Sequence, residues 1–370
     1  MRNEPAHGEE TGETLARVRT LAWRYRVPLG LLVLVLLLRP VVSHPLLLGY
    51  EAIASTILIW MVFVAAFNLL FGYAGLLSFG HAMFLGFGMY AAAIGVSGRA
   101  GAPELPFVVA AGIGVAVAAT VGYLLGRLTV EKGEIYFAFL TLAVAQAVEF
   151  VANRNPLNLT GGSNGVTQDV LPGFVESTRG QLVVVLAGTE VDWYWFVSVV
   201  FLASMLALWQ VVRSPFGRSL VAIRENQNLA RAMGIDTTRY KIQAFTISAA
   251  LSALAGAVLM VNNYGASQET LGVTTSGDTV LMAVLGGVRY FFGPIAGVFV
   301  WQFAEDFLTD FEVLDLGFAS ADLSGVLTHW HFFLGALFVV LVVVAPLEGI
   351  WGFLRDWTRG LYGRVRGVRE

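Results

Sequence analysis

The chain has 370 residues, 56% of them hydrophobic and 13% charged, with a net charge of -3, a mean hydropathy of +0.70 and no cysteine. Soluble domains carry roughly 25% charged residues, so a helical membrane domain is the natural reading, with no soluble block of domain size left over. The lack of cysteine excludes disulfides, thiol catalysis, Fe–S clusters and cysteine-type zinc sites, and the net charge gives no footprint for nucleic acid.

In chain order, residues 1–26 are polar and carry Arg17, Arg19, Arg24 and Arg26 just before an apolar run. This stretch lacks the short n-region and A-x-A-like site of a cleavable signal. It is read as a cytoplasmic tail, and Val27 to about Leu48 as a retained first span. From Ala52 to Gly98 no Asp, Glu, Lys or Arg occurs, which suits two spans interrupted by Gly72, Gly75, Gly80, Gly86 and Gly88. Leu105–Gly126 and Ile135–Ala152 are further spans, the second with Gln146 and Glu149 in its far half. Asn153–Asp192 is a polar loop whose apolar Leu182–Ala187 suits a short strand or buried turn. Trp193–Val212 opens on an aromatic belt, Trp193-Tyr194-Trp195.

Residues 213–241 form a basic loop with Arg213, Arg218, Arg224, Arg231, Arg239 and Lys241 against only Glu225 and Asp236. Ile242–Gln268 contains one span. Two short pieces follow, Thr279–Val288 and Tyr290–Ala304, broken at Gly286-Gly287 and Gly293-Pro294. Glu305–Asp322 is acidic, Leu323–Leu347 is the last span, and 351–370 is a basic tail. The expected fold is therefore all-α, a transmembrane domain over 27–350 with about 8–10 membrane segments, some short or re-entrant. Positive charge places both termini and the 213–241 loop in the cytoplasm. Parity then requires 279–304 to return to its starting side, which non-helical backbone tolerates only inside protein or beside a water-filled cavity.

Helix signals turn the basic loop into more than a topology marker. Ser214-Pro215 starts a helix, positions up to Met233 follow at helical spacing, and Gly234 stops it. Its Pro-Phe-Gly entrance, Ala-Met-Gly exit and polar Glu225-Asn226 face suggest a surface shaped for a partner.

This loop resembles the cytoplasmic coupling loop of branched-chain amino acid ABC transporter permeases of the LivM type. The matching residues are Ser214–Arg218, Ala222–Asn226, Ala230, Met233–Ile235, Tyr240-Lys241 and Ala244-Phe245. Gly72–Tyr90, Leu159–Thr167 and Leu281–Gly297 agree as well, in order, over roughly residues 50–300; Arg289-Tyr290 depart, standing where relatives have small residues. The resemblance implies docking on a separate ATPase through 214–235, with Pro215, Gly217, Arg218, Arg224, Glu225, Asn226, Ala230 and Gly234 carrying the contact or its shape. It also implies a second, LivH-like permease and an extracytoplasmic solute-binding protein. A Walker A loop needs Gly-Lys-Ser/Thr, yet Lys132 and Lys241 precede Gly133 and Ile242. ATP hydrolysis then falls to a partner, and the chain is read as a transport subunit and not an enzyme, with no cofactor or metal.

The expected translocation path combines three groups. Gly75, Ser78, Gly80 and His81 lie in the glycine-rich stretch, where packing of helices competes with an opened backbone facing a carboxylate. His81 is the sole ionisable residue of its segment, equally suited to a solute contact and to a hydrogen bond with a neighbouring helix. Gly161, Gly162, Asn164 and Gly165 form a turn at the outer mouth, where a plain turn is the bland alternative. Gly286, Gly287, Gly293 and Pro294 mark broken helices. Two further features are weaker: His329-Trp330-His331 reads as an interfacial belt before a metal pair, and Glu149 as a snorkelling or capping group before a proton carrier.

The leading expectation is an ABC importer permease at the cell membrane for branched-chain or other apolar amino acids. Urea or short amides are the runner-up solutes, although permeases of that kind usually lack Ala-Ile-Arg-Glu-Asn. An ion-coupled secondary transporter would need ionisable groups in mid-span, and the spans offer few beyond His81, Glu149, Asp278 and Arg289. An intramembrane enzyme would need paired polar groups at one depth, which the sequence does not present.

Overall fold

The computed structural model describes residues 27–43, 51–101, 103–166, 170–178, 181–186, 188–310, 313–315, 320–322 and 348–356, with isolated positions from 332 to 343. It divides into two units, Met1–Glu51 and Ala52–Glu370. The first contributes one apolar helix, α1 (Val27–Val42). The tail 1–26, the HWH stretch 329–331 and most of the last expected span lie outside the described residues.

The second unit is helical. Its helices are α2 (Glu51–Asn68), α3 (Ala82–Ser97), α4 (Phe107–Thr129), α5 (Glu134–Arg154), α6 (Trp193–Arg213), α7 (Pro215–Glu225), α8 (Gln227–Ala232), α9 (Thr237–Asn262), α10 (Val273–Gly286) and α11 (Gly293–Asp310). Among the described residues five helices are long and apolar enough to cross a membrane: α2 with its π-helical extension, α4, α5, α6 and α9. The surface confirms what surrounds them. Val108 (77% exposed), Ile135 (76%) and Val199 (67%) point outward from α4, α5 and α6, the reverse of a water-soluble bundle.

Two small sheets add to the all-α expectation. The apolar 182–187 segment becomes β2 (Gln181–Leu186), paired antiparallel with β1 (Val175–Thr178) and β3 (Thr189–Asp192); β4 (Val313–Asp315) pairs with β5 (Ser320–Asp322). The short pieces expected at 279–288 and 290–304 are a helix pair whose first member begins earlier, at Val273. Before it, the chain 263–272, with a 3-10 turn at Gln268–Leu271, packs against α3. Leu271 abuts Gly86, and Ser276 Oγ accepts a 3.1 Å hydrogen bond from the Ala82 amide.

α9 is the centre of the unit, packed on α3 and α4. Small residues set that spacing. A side chain at Gly88 would fall on the Ala253 carbonyl, and one at Gly256 on the Leu85 carbonyl, so the α3 and α9 backbones are in contact.

Ties between distant segments sort into two groups. One joins Gly72 to Arg224, Glu134 to Lys241, and Gly287 to Gly349. The other joins Val166 to Ala266 and Ser177 to Tyr264. Every helix from α2 to α9, α7 and α8 apart, runs from one group towards the other, so the chain alternates between two ends of the bundle.

Gly256→Val should therefore force α3 and α9 apart. Overpacking of this kind costs about 1–3 kcal/mol, so a lower unfolding temperature in detergent is expected by tryptophan fluorescence. Gly112→Val, at a position that faces open space, should leave it unchanged.

Candidate functional site

The basic loop is a folded element. Ser214 Oγ accepts from the Gly217 amide at 3.3 Å and Pro215 occupies the first turn of α7. Gly217 rests on the Val212 carbonyl, and Leu220 and Ile223 are buried. Phe216 stacks on Tyr240 with ring centres 5.4 Å apart.

One helix was expected over 215–233, and the structure corrects this to two. Asn226 leaves helical geometry (φ -156°, ψ 98°), and its Oδ1 accepts the Leu229 amide at 3.0 Å, capping α8. An asparagine side chain competes well for such amides, so it starts a new helix where spacing alone suggested continuation. Gly234, at φ +84°, ends α8.

Three cationic side chains fasten the loop. Arg224 Nη1 donates to the Gly72 carbonyl, and its Nη2 pairs with Glu225 at 2.6 Å. That hydrogen bond and the Arg224 charge, helped by Arg289, hold the exposed Glu225 carboxyl below its usual range. Lys241, its side chain only 3% exposed, donates to Gln227 Oε1 at 2.9 Å and faces Glu134 at 3.8 Å. Arg231 Nε donates to Thr237 Oγ1 at 2.9 Å. Ala230 is buried, whereas Leu229 (59% exposed) and Met233 (68%) stand outward one turn apart, beside exposed Arg218, Asn226 and Asn228. The charge count that drew attention to the loop included Lys241, one of only two lysines in the chain, but not its role as a buried clamp, and it gave no sign that Leu229 and Met233 face outward.

The expected path residues do not share one cavity. Gly75, at φ +73°, lies against the Arg224 side chain, beneath the loop. Gly80 abuts the Thr141 carbonyl. Ser78 is buried, and its hydroxyl has no partner among the described residues. His81 is fully buried among Phe63, Phe67, Phe84 and Phe245. Its Nε2 lies 3.0 Å from both Ser248 Oγ and Ser252 Oγ. Those hydroxyls already donate, Ser248 to the Ala66 carbonyl and Ser252 to the Ser248 carbonyl. Nε2 must then carry a proton, which it shares between the two hydroxyl oxygens. The histidine, at the start of α3, thus holds α9, and Ser248 ties α9 on to α2.

Gly286, Gly287, Gly293 and Pro294 belong to the turn between α10 and α11. Gly286 meets the Gly293 carbonyl, and Gly287, at φ +107°, meets the Glu348 carbonyl. Phe292 stacks on Trp351 at 5.1 Å, and the Arg355 guanidinium lies 4.6 Å over the Tyr290 ring. The large residues of this turn thus dock the 348–356 segment.

At the other end of the bundle, Gly161 and Gly165 pack on each other and on Ala266, at φ +75° and +67°. Val166 exchanges backbone hydrogen bonds of 2.9 and 2.8 Å with Ala266. Gly161, Asn164 and Gly165 face Ser97 and Arg99 across a cleft of about 740 Å³; Gly162 is buried behind them. Glu149 accepts from Gln146 Nε2 at 2.7 Å on its own helix.

A multi-pass helical bundle with a clamped basic loop at one end and a polar cleft at the other has the form of a membrane transport subunit. The sequence specifies which kind: residues 49–343 match the family model described as branched-chain amino acid transport system / permease component, and the chain belongs to that family, as a LivM-type member. It is 26% identical over 334 residues to the high-affinity branched-chain amino acid transport system permease protein LivM of Salmonella typhimurium, covering 86% of this chain and 74% of that protein. The Escherichia coli LivM is also 26% identical, over 360 residues, 91% of this chain and 78% of the relative. LivH of Salmonella typhimurium is 30% identical over 203 residues, 54% of this chain and 59% of that one. No solved structure matches the chain.

Removing the clamp has a local readout. A hydrogen bond to a charged group is worth about 1.5–3 kcal/mol, so Arg224→Ala should speed amide exchange of 215–232 by roughly tenfold or more. Exchange in the α9 core should not change. Hydrogen–deuterium exchange mass spectrometry reads both.

Proposed function

We propose that this chain is one of two membrane-spanning subunits of an ABC importer that carries branched-chain or other apolar amino acids into the cell. A LivH-like permease completes the channel, a separate pair of ATPases docks on α7 and α8, and an extracytoplasmic binding protein delivers the solute. The tail 1–26, the 213–241 loop and the 351–370 tail face the cytoplasm.

The observation that carries this reading is the loop's two-sided construction. Its inner face is fixed to the spans through Arg224, Lys241 and Arg231, while its outer face leaves Leu229 and Met233 bare. A loop that only set topology would need neither feature. An element that receives a push needs both, an apolar anchor for the partner and a stiff connection to the helices. Two relatives over most of the chain bear the name branched-chain amino acid permease, which supports amino acids over amides as the solute class.

Leu229→Asp combined with Met233→Asp should abolish co-purification of the ATPase and lower amino acid uptake by about tenfold or more, the loss expected of an anchoring pair. Uptake that persists without the ATPase, or after ATP depletion with an ion gradient kept, would sink the proposal.

A further inference from the structure

The cleft at the end of the bundle away from the loop contains a positive charge that no described residue answers. Arg99 follows α3, after Gly98 ends that helix in a left-handed turn (φ +58°). Its side chain is half-buried and lines the 740 Å³ cleft, and it makes no hydrogen bond or ion pair with any described residue. Among the described residues the rest of the lining carries no charge: Ser97, Gly161, Asn164 and Gly165 are polar or small, and Val166 and Val170 are apolar and buried. Withdrawing a guanidinium from water without a counter-charge is costly. A concave site of this size lies within the roughly 300–1,000 Å³ of small-molecule pockets, and the one charge among its described lining residues is positive.

We infer that the cleft binds the carboxylate of a free amino acid through Arg99, with Val166 and Val170 against the apolar side chain. The planar guanidinium offers two parallel N–H donors to a carboxylate, a geometry that lysine cannot reproduce. The inference rests on the outward orientation and the solute class proposed above. It adds a solute contact on this subunit, at a residue that motif reading passed over because a single Arg after a span looks like a topology charge.

Because the chain has no cysteine, Ser97→Cys places the subunit's one thiol on the rim of the cleft. In the assembled complex in proteoliposomes, without binding protein, maleimide labelling of residue 97 is followed on the separated subunit. L-Leucine should slow labelling severalfold and L-leucinamide, which lacks the carboxylate, should not. Adding Arg99→Met should raise the leucine concentration for half-protection by about tenfold to a hundredfold, the worth of a charged hydrogen bond, and Arg99→Lys should restore part of it. Equal protection by leucine and leucinamide, protection by neither, or protection that survives Arg99→Met would each overturn the site. The last of these, accompanied by weaker association of the binding protein, would assign Arg99 to protein docking instead. The ATPase co-purification of the preceding section is read separately, so loss of that reading with leucine protection intact leaves the site standing.

Discussion

In hydrocarbon, every backbone group that leaves a helix must find its partner within the protein, and that constraint decides how this bundle is built around its breaks. α2 runs into a π turn at Leu69–Tyr73, which displaces the regular ladder, and the Gly72 carbonyl is taken up by Arg224 from the basic loop. The non-helical stretch before α3 leaves the Ala82 amide to Ser276, and the chain before α10 is tied back by Val166 and Ala266. Each break is thus covered by a segment distant in sequence. The functional elements of the chain are the ones that supply the cover, so they cannot move without disturbing the breaks.

Spans and loop were legible because they follow from local rules. Charge-free runs of span length, the belt at Trp193–Trp195 and the Ser214-Pro215 start each depend on a few adjacent residues, and the structure places helices there. The broken pair at 279–304 was legible as breaks, though not in its extent, since the start of α10 at Val273 is fixed by contacts with α3 and not by hydropathy. Asn226 escaped for a similar reason. Its helical spacing fits continuation, and only the side chain's hydrogen bond to the Leu229 amide reveals a second helix.

The same limit explains the glycines and His81. A glycine between apolar residues marks close approach, but whether to a neighbouring helix or to a solute depends on what lies opposite. For Gly80 it is the Thr141 carbonyl and for Gly75 the Arg224 side chain. His81 as a lone ionisable group suggested a solute contact, yet the two serines that engage it lie on α9, 167 and 171 residues away. Conversely, Arg99 and the 161–165 turn are separated by 60 residues of chain, and the cleft they form exists only once α3 and α5 are side by side.

α9 connects these ends. At one terminus Lys241 holds Gln227 of α8; beyond the other, Ala266 pairs with Val166 on the wall of the cleft. Between them α9 is fixed to α3 by backbone contacts at Gly88 and Gly256 and by the His81 clasp. Close-packed helices of this kind shift as units, because their interfaces have few positions of comparable energy between which to slide. Under the proposed function, a displacement of α8 would be carried by α9 and α3 together to Ala266, behind Val166 on one wall of the cleft, and to Ser97-Arg99 on the other. Were α3 and α9 separated by larger side chains, the two walls could move independently and the push would be lost in the bundle. The glycines that offer no chemistry of their own are what join the loop end and the cleft end of the bundle through one close-packed pair of helices.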